Sequence, residues 1–226
     1  MPIPRAAEST RAHRLGTFVL SLMGIVIGMM ITTHGLANVG ELFEAIRKND
    51  LKTVERGLAR GFSVDSTDEK GLSLLMEAAR TGHAPIVAHL LKSKAQINKR
   101  NAQGESAVML AAFHGHLSVV QMLHKAGAEI SHSGWTALHY AAYHGYADIC
   151  QYLLENNVLI DSRSPNGSTP LMLAARQGHE ALVKALLWER ADPNLVNEDG
   201  LSALAMAAQR KHLAIVALLK QGGAKK

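Results

Sequence analysis

Residues 134–161 read GWTALHYAAYHGYADICQYLLENNVLID, and the same order of residue types returns along the chain. Residues 71–98 read GLSLLMEAARTGHAPIVAHLLKSKAQIN, and 104–131 read GESAVMLAAFHGHLSVVQMLHKAGAEIS. Further on, 167–194 read GSTPLMLAARQGHEALVKALLWERADPN and 200–224 read GLSALAMAAQRKHLAIVALLKQGGA. The glycines that open the copies are 33, 30, 33 and 33 residues apart. A fixed period of this length marks a solenoid, whose units bury their apolar faces only against their neighbours. A degenerate earlier copy spans Gly40 to Asp65, keeping the helical pattern and the Gly61-Phe62-Ser63-Val64-Asp65 ending without the opening motif.

Each feature of the unit has a physical cause. Lys70-Gly71, Gln103-Gly104, Asn166-Gly167 and Asp199-Gly200 are turn dipeptides in which glycine supplies the positive φ. Ser73, Ser106, Thr136, Thr169 and Ser202 follow two residues later, where a hydroxyl caps a helix N-terminus. Pro170 lies just after one such cap, a first-turn position that tolerates proline, and Pro85 starts a second helix in the same way. The alanine pairs Ala78/Ala79, Ala111/Ala112, Ala141/Ala142, Ala174/Ala175 and Ala207/Ala208 let two helices approach closely. Ile86, Val87, Leu90 and Leu91 form the apolar stripe expected of a second helix.

These residues resemble the ankyrin repeat, over about Asn38 to Ala224. The resemblance implies an all-α solenoid of about six helix–turn–helix repeats with hairpin fingers, an elongated L shape and a concave face. The expected repeats cover about 38–66, 67–99, 100–131, 132–162, 163–195 and 196–226. The chain departs from the family pattern in places. The threonine-to-histidine pair at the helix start is intact only as Thr136…His139, with Met76, Met109, Met172 and Ala205 elsewhere. The connection between the third and fourth repeats is three residues short, so one finger is truncated. The polar first repeat (Glu41, Glu44, Arg47 and Lys48 among others) suits a terminal cap, and the expectation is a complete array.

Ahead of the repeats stands a different kind of sequence. Arg5, Arg11 and Arg14 precede LGTFVLSLMGIVIGMMI, Leu15 to Ile31, a run without charge. Its length lies between a secretory h-region and a spanning helix, and small residues near Ala37 suit signal peptidase. Residues 1–37 are therefore expected to be a leader helix acting as a signal peptide or signal anchor. The arginines keep the N-terminus inside, so the repeats are expected to be exported. The expected destination is the periplasm or the exterior after cleavage, or the outer face of the inner membrane if the leader stays. An exported ankyrin-repeat protein of bacterial type is the resulting expectation.

The 226 residues carry a formal net charge of +5, and removing 1–37 with its three arginines and Glu8 leaves +3. With no long basic run, composition lends no support to nucleic-acid binding, and so mild a balance argues weakly for acidic partners. A single cysteine excludes an intrachain disulfide framework and a multi-thiolate zinc site. Cys150 stands where other copies have Val87, Val120, Val183 and Val216, and reads as a buried small hydrophobe. Of the 12 histidines, His83, His116, His179 and His212 hold the repeat's Gly-His position and His139 its helix start, which are structural places. The rest have no helical i, i+4 ligand spacing, so neither metal nor cofactor is expected. Nucleophile-elbow, P-loop and H-E-x-x-H motifs are absent, and no enzyme activity is expected.

In the ankyrin family, partner contacts come from variable residues at the end of the inner helix and after the finger glycine. Carried onto this chain, those positions gather Phe113, His114, Trp135, Tyr143 and His144 on adjacent repeats, with Arg80 and Arg176 at the flanks. Aromatics beside arginine are the composition of an interface hot spot. Tyr140 and Tyr152 fall on core-like positions and are left outside this set, while Trp188 ends an outer helix. The expectation is a monomeric, non-enzymatic module that binds another protein on its concave face. Two variants are an accessory or immunity protein for a toxin or co-exported enzyme, and a membrane-tethered scaffold.

Overall fold

The computed structural model describes residues 39–225, which form twelve helices stacked in six pairs. The first pair is α1 (39–47) and α2 (Leu51–Ala59). Next come α3 (Leu74–Thr81) with α4 (Ala84–Lys92), then α5 (Ala107–Phe113) with α6 (Leu117–Lys125). The fourth pair is α7 (Ala137–His144) and α8 (Ala147–Glu155), and the fifth is α9 (Pro170–Gln177) and α10 (Glu180–Trp188). Then follow α11 (Ala203–Gln209) and α12 (Leu213–Gln221). The first helix of each pair from α3 to α11 packs on the first helix of the next pair, and the second helices from α2 to α12 form their own row. We call these the inner and outer helices. The leader expected over 1–37 lies outside the described residues, among which no helix is long and apolar enough to cross a membrane.

The alanine pairs make the inner row possible. Ala78, Ala79, Ala111, Ala112, Ala141, Ala142, Ala174 and Ala175 are all fully buried between neighbouring helices. A methylene added to any of them costs typically about 1–3 kcal/mol in overpacking. In the last pair Ala207 is buried but Ala208 is exposed, because no following inner helix covers it. On the outer row Ile86, Val87 and Leu90 are buried, and Leu91 only half so.

Each inner helix starts at its hydroxyl residue. Ser73 Oγ accepts the Met76 N–H at 3.2 Å, Thr169 Oγ1 the Met172 N–H at 3.4 Å and Ser202 Oγ the Ala205 N–H at 3.2 Å. Methionine proves a functional replacement for the family's histidine. The Ser73, Ser106 and Thr169 N–H groups donate to the sulfurs of Met76, Met109 and Met172 at 3.4–3.5 Å. In the fourth repeat the Thr136 N–H donates instead to His139 Nδ1 at 3.3 Å. The fingers are closed by Asx turns, as where Asn101 Oδ1 accepts the N–H groups of Gln103 and Glu105, and Asn197 Oδ1 those of Asp199 and Leu201. Between the third and fourth repeats the missing residues include that Asx, and Ser131 to Gly134 carry no such bond.

Histidine joins one repeat to the next. The His116 ring bonds the Arg80 carbonyl at 3.1 Å, the His179 ring that of Tyr143 at 2.9 Å and the His212 ring that of Arg176 at 3.3 Å. Those carbonyls sit at inner-helix C-termini, where no intrahelical donor remains. The following glycine leaves room for the ring. Gly145 has φ +79°, and a Cβ there would lie 2.5 Å from the His179 ring. Tyr146 takes the histidine's place over Gly115 in the fourth repeat.

Candidate functional site: an aromatic face at the ends of the inner helices

The stacking fixes which side chains meet at the C-terminal ends of α5 and α7. Phe113 and His144 approach edge to face at 4.4 Å between ring centres, and Phe113 meets Tyr140 at 5.5 Å. Tyr140 in turn stacks on Trp135 at 5.6 Å with an interplanar angle of 22°. His114 packs on Phe113 at 4.9 Å, and Tyr143 on His144 at 5.0 Å. His144 also stacks on Tyr146 at 5.7 Å. The expected residues Phe113, His114, Trp135, Tyr143 and His144 thus belong to one contiguous aromatic face. Tyr143 and His114 are exposed, while Phe113, Trp135, Tyr140 and His144 are half-buried.

Tyr140 is the residue that sequence reading passed over. Its helix position is apolar in neighbouring copies (Leu110, Leu173, Met206), which disguised it as core. It bridges Phe113 and Trp135, and its hydroxyl donates to Glu105 Oε1 at 3.2 Å. Burial and the Glu105 carboxylate push the phenol up to about 12, so it stays a donor. Glu105 follows the finger glycine and is held by Asn101 Nδ2 at 2.8 Å. The imidazoles of His114 and His144 are held below their ordinary range, chiefly by partial desolvation against the neighbouring rings, with Arg80 and His116 adding to the effect on His114 and His179 on His144. Both rings are therefore biased toward the neutral form.

The two flanking arginines differ. Arg80 is already engaged by Glu77, its Nε and a terminal nitrogen donating to the two carboxylate oxygens at 2.8 and 2.7 Å. Arg47 Nε donates to the same carboxylate from the preceding repeat at 2.8 Å and pairs with Glu44 as well. The Glu77 side chain is 0% exposed. Burial pushes its carboxyl up, but the two guanidiniums outweigh this and hold it below the usual carboxylate range. Glutamate at a position held by Leu110, Tyr140 and Leu173 in the next three copies, with arginine three residues on and in the preceding repeat, was the available signal. Arg176, by contrast, is exposed, and among the described residues no carboxylate pairs with it.

Periodic helix pairs, hydroxyl caps, alanine rows and Gly-His junctions together form a family signature. The family model for ankyrin repeats (three copies) matches residues 42–133, 90–164, 124–196 and 171–226, nearly all of the described chain. The chain belongs to the ankyrin-repeat family. The crystal structure of the human ASB11 ankyrin repeat domain superposes with a TM-score of 0.76 at 27% identity, covering 81% of this chain and 84% of that one. Short stretches of the chain resemble curated proteins. Neurogenic locus notch homolog protein 4 of Homo sapiens is 43% identical over 61 residues, 26% of this chain and 3% of its own length. Putative palmitoyltransferase ZDHHC13 of Danio rerio is 43% identical over 61 residues, 26% of this chain and 10% of its own. The chain thus spans a tenth or less of these relatives.

Ankyrin repeats identify the chain as a protein–protein interaction module, and the aromatic face is its candidate contact surface. The outer ankyrin helices carry a second feature. Trp188 is 83% exposed at the end of α10 and borders a groove of about 570 Å³ between α8 and α10, with Ala147, Leu154, Ala181 and Ala185 in its walls. Cys150 lies beneath it, buried as the valine comparison implied, its thiol pushed up to about 12 mainly by burial. His124 and Tyr152 pair on the outer row at 2.8 Å, away from the aromatic face. Among the described residues no group of three histidine, cysteine, aspartate or glutamate side chains converges as a metal site.

Proposed function

We propose that this ankyrin-repeat protein is a non-enzymatic binding module that docks one partner protein on its concave face. The docking surface is centred on Phe113, His114, Trp135, Tyr143 and His144, with Tyr140 added as their keystone. The observation that carries the reading is the unbroken chain of ring contacts across two adjacent repeats. Rigid aromatic side chains give large contact area at small entropic cost, and Tyr and Trp dominate interface hot spots. Beside Trp135 the short third finger leaves the groove open to an incoming chain. We further propose that residues 1–37 direct the repeats out of the cytoplasm, as a cleaved signal peptide or a retained anchor. Supporting this is the basic segment followed by the uncharged run Leu15 to Ile31.

Replacing Trp135 and Tyr143 together by alanine is expected to weaken partner capture by about 2 kcal/mol or more, roughly thirtyfold. The test is capture from the native compartment by wild-type and variant protein, with thermal unfolding as a check on the fold. Equal capture by both would overturn the site. Sequencing the N-terminus of the mature protein addresses export: a start at Asn38 means cleavage, and an intact leader means an anchor.

A further inference from the structure

The formal charge of the whole chain hides an uneven distribution along the inner row. On the N-terminal side every inner-helix arginine is neutralised within the molecule, Arg47 by Glu44 and Glu77, and Arg80 by Glu77. On the C-terminal side the pattern reverses. From residue 201 to the end there are five lysines and arginines and no aspartate or glutamate. Arg176, Arg210 and Lys211 are exposed, and among the described residues no carboxylate pairs with any of them. Glu180, although only four residues beyond Arg176, makes no ion pair with it.

The histidine junctions place these cations beside the aromatic face. His179 bonds the Tyr143 carbonyl, setting Arg176 and Gln177 next to Tyr143 and His144. His212 bonds the Arg176 carbonyl, setting Arg210 and Lys211 next in line. The inner-helix ends therefore run from a ladder of paired arginines, with Lys48 exposed outside it, to the rings and then to the unpaired Arg176, Arg210 and Lys211, of which Arg176 lies on the repeat next to Tyr143. From this we infer that the partner segment seated on the aromatic face is acidic, laying an apolar or aromatic side chain on the rings and its carboxylates along Arg176, Arg210 and Lys211. The inference rests on the docking surface proposed above and adds the chemistry and direction of its occupant. A polypeptide fits better than a nucleic acid. The cations come one or two per repeat, a spacing that suits a few carboxylates on a short segment better than a continuous phosphate backbone. Rim charges of this kind act mainly on association rate and salt dependence.

The test uses the full chain and three pools of short synthetic peptides, each with a central phenylalanine and acidic, neutral or basic flanks, plus oligothymidylate as a polyphosphate. Binding is read by fluorescence anisotropy at low and high salt. The acidic pool is expected to bind roughly tenfold tighter than the neutral one, with the preference fading at high salt. Arg176→Glu with Arg210→Glu should abolish that preference without changing the thermal midpoint. Lys220→Glu, a charge change of the same repeat on the outer row, should preserve it. Equal binding of acidic and neutral pools, or a preference surviving the double reversal, overturns the inference. So does oligothymidylate binding that equals the acidic pool and is lost with the same reversal.

The aromatic variants separate the two readings. Binding that depends on Trp135 and Tyr143 but shows no charge preference sinks the acidic occupant alone. A charge preference indifferent to Trp135→Ala and Tyr143→Ala sinks the aromatic docking surface and keeps the cationic one. No binding by any pool overturns both.

Discussion

His139 shows how one residue can hold a repeat together and report on it. Its Nδ1 accepts the Thr136 N–H, which fixes the tautomer with a proton on Nε2, and that N–H donates to the carbonyls of Ser162 and Ser168 at 3.0 and 3.2 Å. The ring is completely buried, and burial lowers its pKa from 6.5 to about 4 despite those two acceptors. Folding thus favours the neutral ring, while the unfolded chain takes up a proton near pH 6.5. Stability is therefore full above that pH, falls as the pH drops toward about 4, and changes little through this group below it. The loss amounts to about 3 kcal/mol. NMR titration of the His139 ring checks the value, and His139→Met, the residue of three sister copies, should flatten the stability profile in that window. An unchanged profile in the variant would contradict the assignment. The structural role of His139 was legible from its place in the motif, whereas the methionine sulfurs that replace it were not. Sulfur is a weak acceptor, and its use follows only from the geometry of the helix start.

Between elements, the junctions decide cohesion. Gly145 and Gly104 have nearly equal φ values, +79° and +78°, but only Gly145 faces a ring, since nothing lies within 4 Å of a Cβ at Gly104. Gly104→Ala should therefore cost about 1 kcal/mol, the strain of the left-handed backbone alone. Gly145→Ala adds displacement of His179 and should cost about 2 kcal/mol or more, measured by chemical denaturation. Equal losses would mean that the ring contact contributes nothing. The ladder Arg47–Glu77–Arg80 is a second junction. Removing both arginines leaves a buried carboxylate without a partner, at a cost of about 3 kcal/mol. Replacing Glu77, Arg47 and Arg80 together by apolar residues should cost far less than removing the arginines alone. With the Glu77 carboxyl held low, the ladder's contribution is present above the ordinary carboxylate pKa and disappears as pH falls through the lowered value. Period and capping residues announced every helix from α3 onward. The ladder left only a trace in the sequence, a glutamate on an apolar stripe, because Arg47 and Glu77 lie 30 residues apart and meet only when the repeats stack.

At the scale of the whole molecule, the array sorts its chemistry by face and by end. Aromatic side chains gather on the third and fourth repeats, the buried Glu77 ladder lies on their N-terminal side, and the unpaired Arg176, Arg210 and Lys211 lie on their C-terminal side. The mild net charge argued only weakly for acidic partners, since addition over the chain erases position. Equally, reading single repeats revealed which rings are variable but not that Tyr140 joins them, for that contact spans two repeats. Placing a photo-crosslinking amino acid at Tyr143, and separately at Trp188, in cells that make the protein tests the central claim most directly. Crosslinking to one discrete partner from Tyr143, and none from Trp188 on the outer helices, is the predicted result. Adducts formed from Trp188 while Tyr143 stays silent would contradict the account and move the interface to the opposite side of the array.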